Sequence, residues 1–84
     1  MHKPETIQRK QWIDESLLQN GNQPLSIAEM QDEILKLFGE DLSYDQIHYI
    51  LRDEEFCDDY IRVIGHPDKY QLEPALYLTM IQPK

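Results

Sequence analysis

Eighty-four residues carry eight Lys plus Arg against sixteen Asp plus Glu, a formal net charge of −8 at pH 7. That length supports one small domain over 1–84, and 40% hydrophobic with 10% aromatic residues suffices for a core and argues against a wholly disordered chain. No apolar run approaches the roughly 18 residues of a membrane span, the N-terminus has no signal-peptide stretch and so points to a cytoplasmic location, and the lone Cys57 excludes an internal disulfide or a cysteine-based zinc cage.

The first helix is expected over about 4–20. Pro4 suits the first helical position because its φ is fixed and its missing N–H is not needed there. Trp12, Ile13, Leu17 and Leu18 supply the apolar positions, Asn20-Gly21 offers a left-handed stop, and Pro24 forbids easy continuation.

The second helix, about 26–38, has sharper punctuation. Ser26 can accept from the Glu29 N–H while Glu29 reaches back to the Ser26 N–H, and Leu25 with Met30 forms a hydrophobic staple. Ile27, Met30, Ile34 and Phe38 recur at helical spacing before Gly39 ends the run. The third helix, about 43–55, repeats the device: Ser43 caps, Gln46 returns the bond and Leu42 staples onto Ile47. Ile47, Ile50 and Leu51 form its buried stripe, and Asp45, His48, Tyr49 and Arg52 face away. Two capped helices joined by a short Gly-containing link have the spacing of a helix-turn-helix.

After Phe56 the pattern changes to Tyr60-Ile61-Arg62-Val63-Ile64, β-branched and aromatic, then turn chemistry at Gly65-His66-Pro67-Asp68, and a returning Tyr70-Gln71-Leu72. A hairpin is expected over about 60–73, with Pro74 ending it. The tail Leu76-Tyr77-Leu78-Thr79-Met80-Ile81 reads as a short strand or helix, its residue types favouring a strand; Leu76, Leu78 and Met80 would then share one side and offer a homodimer contact.

Three helices, the last two a tight pair, followed by a hairpin: this order resembles the winged-helix, or winged helix-turn-helix, superfamily. The resemblance rests on 26–51 for the helix pair and 60–72 for the hairpin, or wing, about half the chain. It implies a small α+β fold whose third helix enters the DNA major groove while the wing touches an adjacent groove or the backbone. Carried onto this chain, the groove-facing residues are Ser43, Tyr44, Asp45, Gln46, Tyr49 and Arg52, with Arg62, His66 and Lys69 on the wing.

Charge divides the functional readings. Residues 1–10 are net +2, residues 11–60 net −11, and residues 61–84 net +1. Duplex binding rests on several Lys/Arg–phosphate contacts. The third helix brings only Arg52, and Asp45 points toward the same groove. Gln46 suits adenine and Asp45 suits cytosine N4, but such contacts specify rather than supply bulk affinity. The leading expectation is a DNA-binding transcriptional regulator, with duplex DNA as partner.

The second is an acidic protein-interaction module (accessory subunit, antirepressor, inhibitor or antitoxin-like) docking a basic partner through Asp45, Tyr49, Asp53, Glu54, Glu55, Asp58 and Asp59. Such a run is usually a solvated loop or helix face, but acids at 53–55 would oppose the macrodipole of the third helix, which points also to an electronegative docking surface. They begin about 15 Å along the helix from Ser43, beyond the roughly 8 Å over which salt screens charge, so they weaken the DNA reading without excluding it.

No catalytic order, phosphate loop or glycine fingerprint appears, so binding without catalysis is expected. The cluster lacks an EF-hand loop. His2, His48 and His66 have no i, i+4 spacing and read as solvent-facing, so neither metal nor cofactor is expected. Cys57, beside Phe56, reads as a small half-buried hydrophobe. Trp12 and Tyr60 read as core, and Tyr44 and Tyr49 as outer-face aromatics available to an interface.

Overall fold

Local hydrogen-bond chemistry starts and stops most of the elements. A computed structural model describes residues 2–82; Met1, Pro83 and Lys84, which the single-domain reading of 1–84 includes, lie outside the described residues. The order is α1 (Pro4–Gln19), β1 (Leu25–Ser26), α2 (Ile27–Phe38), α3 (Tyr44–Arg52), β2 (Tyr60–Val63), β3 (Lys69–Leu72) and α4 (Pro74–Ile81), with a 3₁₀ turn at Cys57–Asp59. Among the described residues, four α-helices therefore accompany a three-stranded antiparallel sheet of order β1-β3-β2, an α+β architecture. No described helix is long and apolar enough to cross a membrane.

Pro4 opens α1, and Gly21 and Asn22 follow its end with φ of +66° and +60°. Asn22 then acts as a surrogate strand partner: its side chain accepts from the Leu72 N–H at 2.7 Å and donates to the Leu72 carbonyl at 2.9 Å. This ties the α1–β1 turn to the end of β3. Ile13, Ser16 and Leu17 face the core, and the Ser16 hydroxyl donates to the Ile13 carbonyl, so its burial leaves no unmet donor.

Both expected capping boxes form. Ser26 Oγ accepts from the Glu29 N–H at 3.1 Å and Glu29 Oε1 accepts from the Ser26 N–H at 2.8 Å. The Ser43–Gln46 pair matches it at 3.1 and 3.0 Å. We expect Ser26→Ala and Ser43→Ala each to cost about 1 kcal/mol, read from urea midpoints. Ser26→Ala should cost more, because the Glu29 N–H that it frees sits in a part-buried bond and has less water to meet, whereas the Gln46 N–H freed by Ser43→Ala is exposed. Equal losses would show that burial does not matter at these caps.

Three expectations give way. The third helix stops at Arg52 rather than about 55, because Asp53 is extended (φ −65°, ψ 136°) and its side chain turns back to accept from the Glu55 N–H at 2.9 Å. Its carbonyl also accepts from the Phe56 and Cys57 N–H groups. The tail is a helix, not a strand. Pro74 lies in the first turn of α4, and the Glu73 carboxylate accepts from the Leu76 N–H, so the residue read as a strand terminator starts a helix. The alternating strand side of Leu76, Leu78 and Met80 is lost: Leu76 packs against the core while Leu78 and Met80 stay exposed. Finally, β1 pairs Leu25 with Tyr70 and Ser26 with Lys69, a strand not expected at all.

The core joins Ile13 and Leu17 of α1, Ile27, Met30 and Ile34 of α2, Ile47, Ile50 and Leu51 of α3, and Leu25, Tyr60, Tyr70 and Leu72 of the sheet. Trp12 and Phe56 pack on its margin, and Tyr60 lies within it, in keeping with the expectation for Trp12 and Tyr60. Cys57 is exposed, contrary to the half-buried reading, because Phe56 takes the inward place beside it.

Candidate functional site: the outer face of α3 and its two clefts

Burial of Ile47, Ile50 and Leu51 fixes which side of α3 meets solvent. Tyr44, Asp45, Tyr49 and Arg52 are exposed, the two tyrosines at 54% and 55%, more than packing alone would require. Ser43 and Gln46 stand at the helix start, but both side chains are already used in the capping box. Gln46 Oε1 holds the Ser43 N–H, so a bidentate contact from Gln46 to a base would first have to open the cap.

A cleft lies on each side of this face. The first, about 540 Å³, runs between the start of α1 and α3; its charged lining is Lys3 and Arg9 against Asp45, with His2 at its edge. The second, about 450 Å³, lies between α3, the start of α2 and the β2–β3 hairpin. Arg52 and Arg62 converge there with His48 and His66, against one carboxylate, Asp68. Together the two clefts present four Lys/Arg against two carboxylates. Asp68 is partly committed: it accepts from the Gly65 N–H at 2.9 Å inside the hairpin turn and stands 3.7 Å from Arg62 Nε. Among the described residues Arg52 makes no ion pair.

The strand period decides the fate of the hairpin residues. Arg62 pairs in register with Tyr70 and shares its face, so both reach the second cleft, whereas Lys69 alternates to the other face. Lys69 Nζ lies 3.7 Å from Glu29 at the start of α2 and lines neither cleft. Of the three hairpin candidates, Arg62 and His66 join Arg52; Lys69 does not.

The acidic run is less open than its sequence suggests. Asp53 and Glu55 lie 3.1 and 3.4 Å from His2 Nε2, and the His2 ring stacks on Phe56 at 4.4 Å. Burial acts to raise the Asp53 carboxyl, but the Glu55 N–H, the Tyr49 hydroxyl and His2 outweigh it and hold the group below its ordinary value. The same contact with Asp53 lifts the Tyr49 phenol. Asp59 bonds Lys10 at 2.8 Å, which leaves Glu54 and Asp58 as the members of the run facing solvent without an ion pair among the described residues.

His2 and His48 are half-buried rather than solvent-facing, since Phe56 and Tyr44 cover their rings; His66 alone is exposed. His2, Lys3, Arg9 and His48 belong to the clefts although none was a candidate. The +2 balance of residues 1–10 was the available signal for the arm. Nothing in the linear pattern places that arm beside α3.

No protein-family model matches the chain, and neither the curated proteins nor the solved structures compared with it give a match.

Proposed function

We propose that this domain is a winged helix-turn-helix that binds duplex DNA as a small transcriptional regulator, with α3 as the groove helix and the β2–β3 hairpin as the wing. The observation that carries this reading is the shared cleft of Arg52 and Arg62. A helix and a hairpin each contribute one guanidinium to one concavity, an arrangement suited to phosphates on the rim of a groove. Lys3 and Arg9 flank the other side of α3, so cations border its exposed tyrosines on both sides despite the net charge of −8. Tyr49 is then the reading residue, and Arg52 and Arg62, with His66, grip the backbone.

The acidic-surface alternative receives less support, because His2 and Lys10 occupy Asp53, Glu55 and Asp59.

The test is selection from a randomised duplex pool, followed by polarisation titrations over a salt series. Arg52→Ala with Arg62→Ala should weaken binding and reduce the steepness of log K against log salt by about 2, one phosphate contact each. Lys69→Ala, whose ammonium is turned toward Glu29, should change the slope by well under 1. A pool that yields no binder at low salt would overturn the DNA reading.

A further inference from the structure

We propose that the surface joining α1 to the C-terminal end of α2 docks a basic protein segment that carries an apolar anchor. Helix α2 satisfies the core with Ile27, Met30 and Ile34, yet it continues into Leu35, Leu37 and Phe38, which remain 50%, 41% and 38% exposed. Leu35 and Phe38 are one turn apart, and the Phe38 ring lies 6.1 Å from that of Trp12. The apolar ground therefore passes from one helix to the other. None of these side chains is needed to close the core, and large aromatic side chains at a surface are what protein interfaces use as anchors.

Beside this patch is a cleft of about 370 Å³ bounded by Trp12, Leu42, Arg9 and three carboxylates, Glu5, Glu40 and Asp41. The left-handed Gly39 (φ +69°) turns the chain at the end of α2, and Glu40 and Asp41 follow it directly onto the rim. Among the described residues none of the three carboxylates has an ion pair or side-chain hydrogen bond, in contrast to Asp53, Asp59 and Asp14. Three unpaired acids against one arginine beside an indole fit a lysine or arginine, which gains both the carboxylates and the ring face. The anchor covers Phe38 and Leu35. An acidic or neutral partner gains nothing from this rim, and DNA is repelled by it.

The site borders the first cleft through Arg9 but does not rest on the DNA reading, and its test is separate. Trp12 is the chain's single tryptophan and reports occupancy directly. The probe is a synthetic amphipathic peptide with leucines on one helical face and lysines on the other, titrated into the full chain. Saturable binding with a blue shift of Trp12 emission is expected. Glu40→Gln with Asp41→Asn should weaken it roughly fivefold, as two exposed charge pairs would, and Leu35→Ser with Phe38→Ser should remove it while circular dichroism confirms the fold. Glu54→Gln with Asp58→Asn makes the same charge change elsewhere and should leave affinity within about twofold. Equal losses in the two charge variants, or an unmoved Trp12 emission, would overturn the proposal. So would an emission shift on concentrating the protein alone that Phe38→Ser abolishes, since the occupant would then be a second copy.

Discussion

Replacing Ile47 with Ala should cost about 2–5 kcal/mol of folding free energy, a large share of the roughly 4–13 kcal/mol expected for a chain of this length. Ile47 is 0% exposed, and with Ile50 and Leu51 it seats α3 against the other two long helices. Truncation removes three methyl or methylene carbons and leaves a void that α1 and α2 cannot close without moving. The functional consequence follows from position. Ile47 lies on the opposite side of α3 from Tyr49 and Arg52, so loosening it blurs the direction in which those side chains point. Urea unfolding followed by circular dichroism reads the cost, and Tyr44→Ala is the control. Tyr44 is on the same helix but 54% exposed, and its loss should stay within about 0.5 kcal/mol. An Ile47→Ala loss below 1 kcal/mol would mean that α3 is not held by its buried stripe.

That contrast between buried and exposed positions of α3 was legible in the sequence because helical periodicity is local. So were the two capping boxes, each closed within four residues, and the left-handed stops at Gly21 and Gly39. Features decided by partners far along the chain were not. Leu25 and Ser26 carry the signals of a staple and a cap, and their strand character exists only because Tyr70 and Lys69 lie alongside. The tail is open to strand or helix in the sequence because β-branched and aromatic types favour a strand in isolation, whereas Glu73 and Pro74 commit the backbone to a helix.

The site divides in the same way. Tyr44, Asp45, Tyr49 and Arg52 follow from the period of α3, but the meeting of Arg52 with Arg62 depends on how the hairpin folds back. Lys69 and Arg62 are both basic hairpin residues in the sequence; only strand alternation separates their destinations. In the sequence, the acids at 53–55 oppose the macrodipole of α3, which hints at a partner. Much of their purpose is internal: Asp53 makes the turn out of the helix, and His2 and Lys10, more than forty positions earlier, receive Asp53, Glu55 and Asp59.

The second large effect belongs to Lys10. Its ammonium bonds Asp14 at 2.7 Å and Asp59 at 2.8 Å, and it lies 5.4 and 5.3 Å from the ring centres of Phe56 and Tyr60. The Tyr60 hydroxyl donates to the other oxygen of Asp14. One cation thus holds α1 to the 3₁₀ turn and β2. Lys10→Met keeps the stem but leaves two carboxylates facing each other, at a cost of about 2–3 kcal/mol. This is less than the roughly 3–5 kcal/mol of a fully buried pair because Asp59 remains 38% exposed and water screens it.

The network also sets a direction with pH. Burial opposes the charge on Lys10, but its bonds to Asp14 and Asp59 outweigh that and raise its pKa above 10.5. Its contribution is complete below that value and is lost as pH rises through the folded-state pKa. Burial, then the Asp14 charge, pushes the Tyr60 phenol far above its ordinary 10.0, so beyond pH 10 the unfolded chain ionises a group that the folded chain keeps protonated. Burial likewise raises Asp14 above 3.8, despite the lowering effect of Lys10 and Tyr60, so the folded state binds this proton more tightly and acid does not break the network through Asp14. Stability should therefore fall on the alkaline side, from about pH 10 upward. Tyr60→Phe should remove the phenol's part of that limb and Lys10→Met the ammonium's, each read from urea midpoints across the pH series. If both variants kept the wild-type alkaline slope, the coupling of α1 to β2 through Lys10 would not be what holds this edge of the domain.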